Sequence, residues 1–166
     1  MNQVYAVGLY IDSGLAKVEL SKLKGIEPAA YASDTYIAII NSDSVPKTLR
    51  LVMVRTVSGD QMGSAIGEAV ESRLKKIQSR VSSEEKIEMD KAFKIFRDQF
   101  NMPQLVSGAE MSFSIFPGGK LVVNVGGQNQ AITSKALCVA FLDVFLGDSS
   151  VVNRSLLVTR MPTILE

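Results

Sequence analysis

The spacing of apolar and polar positions changes several times along the chain, and each change marks an element. Val4-Tyr5-Ala6-Val7-Gly8-Leu9-Tyr10-Ile11 is an unbroken apolar run, rich in β-branched and aromatic residues, followed by Asp12-Ser13-Gly14. It predicts a buried strand and a turn. Val18, Leu20 and Leu23 predict a short helix within 15–25 that stops at Gly25. Ser33 or Asp34 caps another short helix through Tyr36, Ile37 and Ile40, which Ser44-Val45-Pro46 ends. Leu49-Arg50-Leu51-Val52-Met53-Val54 is apolar at successive positions, hence on both faces, which predicts a central strand.

Helical spacing then takes over. Met62, Ile66, Val70, Leu74 and Ile77 form one stripe of a helix opened by Ser58-Gly59-Asp60, with Glu68, Glu71, Arg73, Lys75 and Lys76 on its other side. Ser82 stands three residues before Glu85, the spacing of a capping box. The helix it opens carries Ile87, Met89, Ala92, Phe93, Phe96 and Phe100 and ends at Asn101, before Pro103. The two helices read as an antiparallel pair lying on a sheet.

Period two returns at Met111, Phe113 and Ile115. Pro117-Gly118-Gly119 turns the chain, and 120–125 returns as the hairpin partner. Gly126-Gly127 and Gln128-Asn129 predict a further turn before a short strand over 130–133. Residues 136–146 are apolar nearly all round, broken only by Asp143, and predict a buried helix. A final helix is predicted over 151–161. Repeats, linkers and low-complexity stretches are absent, and 166 residues suit a single domain over 1–166. The order of elements predicts an α+β fold, an antiparallel sheet with helices on one face. Only Asn2 and Gln3 separate Met1 from the first apolar run. So abrupt an entry into a core strand predicts an upstream segment in a longer form of the protein.

Composition narrows the chemistry. The chain has no His and a single cysteine, Cys138. That excludes Ser-His-Asp and Cys-His catalytic units, His-ligated metals, Cys clusters and an internal disulfide. What remains is catalysis by carboxylate, Tyr, Lys or Arg, or no catalysis. A net charge of +1 provides no global field for nucleic acid. No apolar run reaches the roughly twenty residues of a membrane span, and the N-terminus does not read as a signal peptide.

Few residues invite a functional reading. Gly59, Gly63 and Gly67 lack the Lys-Ser or Lys-Thr of a phosphate-cradling loop, so they read as small residues that let their helix approach the sheet. Asp90 with Lys94, and Glu84 with Glu88, read as neighbours on a solvated helix face. Methionines 53, 62, 89 and 111 read as core filling, although Met also suits an adaptable apolar cavity. Arg50 within an apolar strand sits at a sheet edge, pairs with a carboxylate or faces an anion, a structural pair being preferred. Tyr5 puts a polar tip in a buried strand, and its hydroxyl needs a partner in the protein or in a ligand.

The order of these pieces resembles the chalcone isomerase superfamily. The resemblance rests on the strand at 4–11, on Leu49-Arg50-Leu51-Val52-Met53-Val54, on the hairpin at 107–125 with its Phe-Pro-Gly-Gly turn, and on Leu142-Asp143-Val144-Phe145-Leu146-Gly147. It implies an open-faced β-sandwich. The family includes isomerases that close chalcones to flavanones and non-catalytic members such as plastid fatty-acid-binding proteins. The isomerase pattern is not kept here. Tyr5 replaces the first-strand Thr, Met62 and Ala69 stand near the positions of the helical Tyr and Asn, and Val144 replaces the later Thr or Ser; the Arg belongs upstream of Tyr5. Such changes remove electrostatic help and make a cleft greasier. The fatty-acid-binding branch, whose strand reads Val-Tyr-Ala, matches better. The resemblance thus implies non-catalytic binding of a long-chain fatty acid. Tyr5 would lie at the carboxylate, and Val7, Met53, Met62, Ile66, Val70, Phe113, Phe141 and Val144 along the acyl chain. It implies no cofactor and no metal, and a place in the plastid stroma and in fatty-acid metabolism or storage. A chalcone isomerase and a ligand-free helper of flavonoid or lipid enzymes are the alternatives.

Overall fold

The computed structural model describes residues 3–166. Its strands are β1 (Tyr5–Ile11), β2 (Lys47–Met53), β3 (Glu110–Phe116), β4 (Lys120–Val125) and β5 (Gln128–Thr133). Its helices are α1 (Ser13–Glu19), α2 (Ser33–Ile40), α3 (Gly59–Gln78), α4 (Ser83–Asp98), α5 (Lys135–Leu146), α6 (Arg154–Leu157) and α7 (Met161–Leu165). The strands form one five-stranded sheet in the order β1-β2-β3-β4-β5, and each pair is antiparallel.

Alternation along the strands sorts the two faces. Leu49, Leu51, Met53, Met111, Phe113, Ile115, Leu121, Val123, Val125 and Ile132 are buried, with Phe96 of α4 and Phe141 and Phe145 of α5 among the residues of the same core. Phe113 and Phe141 lie 4.6 Å apart between ring centroids, and Phe96 lies 5.8 Å from Phe141. Thr48, Arg50, Val52, Ser112, Ser114, Val122 and Asn124 face the other way and are half-buried. On that face the Thr48 and Ser114 hydroxyls bond at 2.8 Å, and Arg50 Nε donates to Glu110 at 3.1 Å. Arg50 therefore has its carboxylate, in an exposed cross-strand pair. β2 is central as expected, yet it alternates between the faces and is not buried on both.

The long helices start where their caps predict. Ser58 with Gln61, and Ser82 with Glu85, each form a reciprocal capping box. The three glycines of α3 face the end of α4 and the loop after it, not the sheet: a Cβ at Gly63 would lie 2.8 Å from the Phe100 Cβ, and one at Gly67 3.3 Å from Arg97 Nε. Asp143, the only charge on the buried face-rich α5 apart from its first residue, accepts from Arg73 Nε at 2.8 Å. The same guanidinium donates to the carbonyls of Ala69 at 2.8 Å and Ser149 at 2.7 Å, binding α3 to α5 and its following loop.

Four local expectations change. β1 is a half-exposed strand that, among the described residues, pairs only with β2. Asp12 belongs to no free turn; it caps α1, accepting from the Leu15 N–H at 2.8 Å. Gly126 and Gly127, with φ of 63° and 77°, make the whole β4–β5 turn, so Gln128 and Asn129 already belong to β5. The single helix expected over 151–161 is two short ones, α6 and α7, separated at Val158 to Arg160. No helix among the described residues is long and apolar enough to cross a membrane.

Candidate functional site

The residues expected along an acyl chain divide sharply. Met53, Met62, Ile66, Val70, Phe113, Phe141 and Val144 are each at most 3% exposed. They interlock in the core between sheet and helices and line none of the main surface clefts among the described residues. The reason is volume: the phenylalanines of α4, α5 and β3 fill the space that smaller side chains would have left open. Met62 and Val144, at positions that resembled polar isomerase residues, are likewise core.

Tyr5 and Val7 do meet at a cleft. It measures about 590 Å³ and runs between Gln3, Val4, Tyr5, Ala6 and Val7 on one side and Val151, Val152, Asn153, Leu156 and Leu157 on the other. A second cleft of about 440 Å³ shares Val7, Leu156 and Leu157 and continues along β1 to Ile11, flanked by Val158, Thr159, Arg160, Met161 and Ile164. Together they make a groove the length of β1, about 20 Å at the usual rise per strand residue. Its walls are mostly apolar, and each cleft falls within the range of roughly 300–1,000 Å³ usual for small-molecule sites. Leu156 is 66% and Val151 51% exposed there, apolar surface that an occupant would cover.

The polar groups of the groove are few. No described residue bonds the Tyr5 hydroxyl, and burial pushes the phenol above its ordinary value of 10.0. At neutral pH it therefore keeps its proton and acts as a hydrogen-bond donor, not as a base. Asn153 lies near the Tyr5 end and Arg160 at the other; no described carboxylate pairs with Arg160. The arrangement can hold an apolar molecule by its length and a polar end by one donor. Among the described residues it presents no acid–base pair facing a common point.

The C-terminal wall of the groove escaped sequence reasoning. Its signal was present: Val151-Val152 and Leu156-Leu157 are apolar doublets, and in so short a segment both members of a doublet cannot turn inward. Elsewhere, the one buried charge among the described residues is Lys47, 3% exposed. Its Nζ donates to the Ser42 carbonyl at 2.7 Å, the Ser42 hydroxyl at 3.0 Å and the Val45 carbonyl at 3.0 Å. All three protons are used in tying the loop after α2, a structural task.

Comparison with known proteins agrees with the architecture. The sequence profile of a family described as chalcone isomerase-like matches residues 29–156. A fatty-acid binding protein of Arabidopsis thaliana has the same fold, with a TM-score of 0.77 and 21% sequence identity, over 98% of this chain and 80% of that one. A search of curated proteins gives no significant sequence match. The profile covers well over half of the residues, and the antiparallel sheet layered by helices on one face is the architecture it implies: the chain belongs to the chalcone isomerase-like family.

Proposed function

We propose that this chain binds a long-chain fatty acid without transforming it, in the groove between β1 and the C-terminal segment. The observation that carries the reading is Tyr5, a protonated phenol without a partner among the described residues, at the mouth of an apolar cleft of about 590 Å³. The phenol donates to the carboxylate, and the acyl chain lies against Val7, Val152, Leu156 and Leu157. Each buried methylene contributes about 0.8 kcal/mol, so the chain and not the head group supplies most of the affinity. The similarity of fold to a fatty-acid binding protein supports the ligand class. The resemblance to plastid members of the family supports a place in the plastid stroma and in fatty-acid metabolism or storage.

Native mass spectrometry and lipid extraction test this on purified protein, followed by titration of delipidated protein with palmitate. Tyr5→Phe should weaken binding by about 0.5–1.5 kcal/mol, roughly two- to tenfold, and Leu156→Asp should weaken it more. Equal affinity in Tyr5→Phe places the carboxylate elsewhere. Protein that carries no fatty acid and takes none up overturns the reading. It would favour the second one, a ligand-free helper of other enzymes, which draws on the filled interior around Phe96, Phe113 and Phe141.

A further inference from the structure

β5 lies at the margin of the sheet opposite β1, and the elements before and after it, β4 and α5, are both described. Gly126 and Gly127 alone make its turn from β4, so Val125 and Gln128 close the hairpin as a bonded pair. At the other end of the ladder the Ser134 N–H donates to the Gly119 carbonyl at 2.8 Å. Directly opposed residues of an antiparallel pair alternate between bonded and unbonded, so both ends commit the even-numbered residues of β5 to β4. The peptide groups of Asn129, Ala131 and Thr133 therefore point away from β4. Of these, only the Ala131 carbonyl has a partner among the described residues, the Gln130 side-chain amide at 3.0 Å.

Proteins usually blunt such a margin with lysine, proline or a bulge. Residues 128–133 have no charge and no proline, and their register with β4 is unbroken. Ile132 turns into the core, so Asn129, Ala131 and Thr133 lie on the sheet face away from the helices, and all three are exposed. Where β5 runs into α5, a cleft of about 530 Å³ separates Thr133, Ser134, Lys135 and Ala136 from the first turns of α4. It leaves that end of the strand open to an approaching chain.

We propose that β5 pairs with β5 of a second copy of this chain, antiparallel about a two-fold axis, joining the two sheets into one. The register that uses every outward residue sets Ala131 against Ala131 on the axis and Asn129 against Thr133 of the second copy. A strand with donors and acceptors in this order complements itself under a two-fold. The side chains agree with it. Two alanines do not crowd each other on the axis, and Asn129 beside Thr133 puts an amide within reach of a hydroxyl. Gln130 gives up the Ala131 carbonyl to the N–H of the facing alanine, one hydrogen bond exchanged for another. Continued past Thr133, the register brings the Gly126-Gly127 turn of the second copy to the cleft. A Cβ at Gly127 would meet nothing within 4 Å, so the turn stands clear of its own chain. Glu84, Glu85 and Glu88 at the cleft meet no like charge there, because residues 125–129 carry none. β5 is four strand spacings from β1, about 19 Å, so the pairing is independent of the fatty-acid groove.

Sedimentation of the full chain across a concentration series should show a species of twice the 18.0 kDa monomer mass. Ala131→Lys sets two ammonium groups side by side on the axis and should abolish that species, whereas Ala131→Gln should keep it. Position 131 is exposed, so both variants should fold, which circular dichroism checks. The register has its own readout. A bonded antiparallel pair holds its Cα atoms about 5.5 Å apart, within disulfide reach. Ala131→Cys should thus give a covalent dimer with oxidised glutathione. Asn129→Cys should not cross-link to itself, yet should do so when mixed with Thr133→Cys; the native Cys138 is buried. Monomers at every concentration overturn the proposal, and so does a dimer that Ala131→Lys leaves intact. Cross-linking of Asn129→Cys to itself in preference to the mixture overturns it as well.

Discussion

Asp143→Ala would measure how much the ion pair between α3 and α5 contributes. The Arg73 side chain is 10% exposed and that of Asp143 39% exposed. Arg73 holds three acceptors, Asp143 at 2.8 Å and the carbonyls of Ala69 and Ser149. Truncating Asp143 leaves the guanidinium largely out of water with two neutral partners. Breaking a fully buried pair costs about 3–5 kcal/mol, but solvent already screens the carboxylate here. About 2 kcal/mol is the expectation, near the value for a hydrogen bond to a charged group. For a domain of this size that lowers Tm by roughly 4–8 °C. Urea unfolding followed by circular dichroism gives the free energy, and the double variant Arg73→Met, Asp143→Ala closes the cycle. The double variant should lose less than the sum of the single ones, because the uncompensated guanidinium is gone. A loss under about 0.5 kcal/mol in Asp143→Ala, the level of an ordinary surface change, would refute the reasoning and make the pair a surface contact in effect.

Two further outcomes follow from the packing and the buried charge. Gly63→Ala gains up to about 1 kcal/mol of helix propensity, but its Cβ would sit 2.8 Å from the Phe100 Cβ. Overpacking of about 1–3 kcal/mol should win, so thermal unfolding at a lower temperature is expected and an unchanged or raised Tm would refute the close approach. Burial lowers the Lys47 pKa from 10.5 to about 8. Between pH 8 and 9 the unfolded chain then binds more protons than the folded one, so stability should rise by roughly 1 kcal/mol across that unit. Chemical denaturation of the native protein and of Lys47→Met at both pH values checks it: the rise should vanish in the variant, and a flat profile in the native protein would contradict the burial argument. Cys138, whose burial raises its thiol from 9.0 to about 11, acts in the opposite sense over the same unit and trims the rise, so the difference between the native protein and Lys47→Met is the readout.

Features fixed by near neighbours were legible in the residues. Capping at Ser82, the stripes of α3 and α4, the turn at Gly118 and Gly119 with φ of 82° and 73°, and the buried α5 all depend on side chains within a few positions. Of the residues expected to touch a ligand, only Tyr5 and Val7 line the open groove. The other seven turned inward because apolarity marks burial without saying whether a core is filled or hollow; that depends on how Phe96, Phe113 and Phe141 interlock from three separate elements. The far wall, Val151 to Leu157, comes from the other end of the chain, and no spacing rule connects it to β1.

From the residues alone came the class of fold, the one-sided sheet, the long helices and the want of imidazole and thiol chemistry, because periodicity and composition are local or summed properties. Tertiary structure alone decided that β1 stands at the edge, that the interior is full and that the open groove lies beside Tyr5. An apolar strand has the same pattern whether it lies inside a sheet or at its margin, and only the placement of its neighbours decides where it stands.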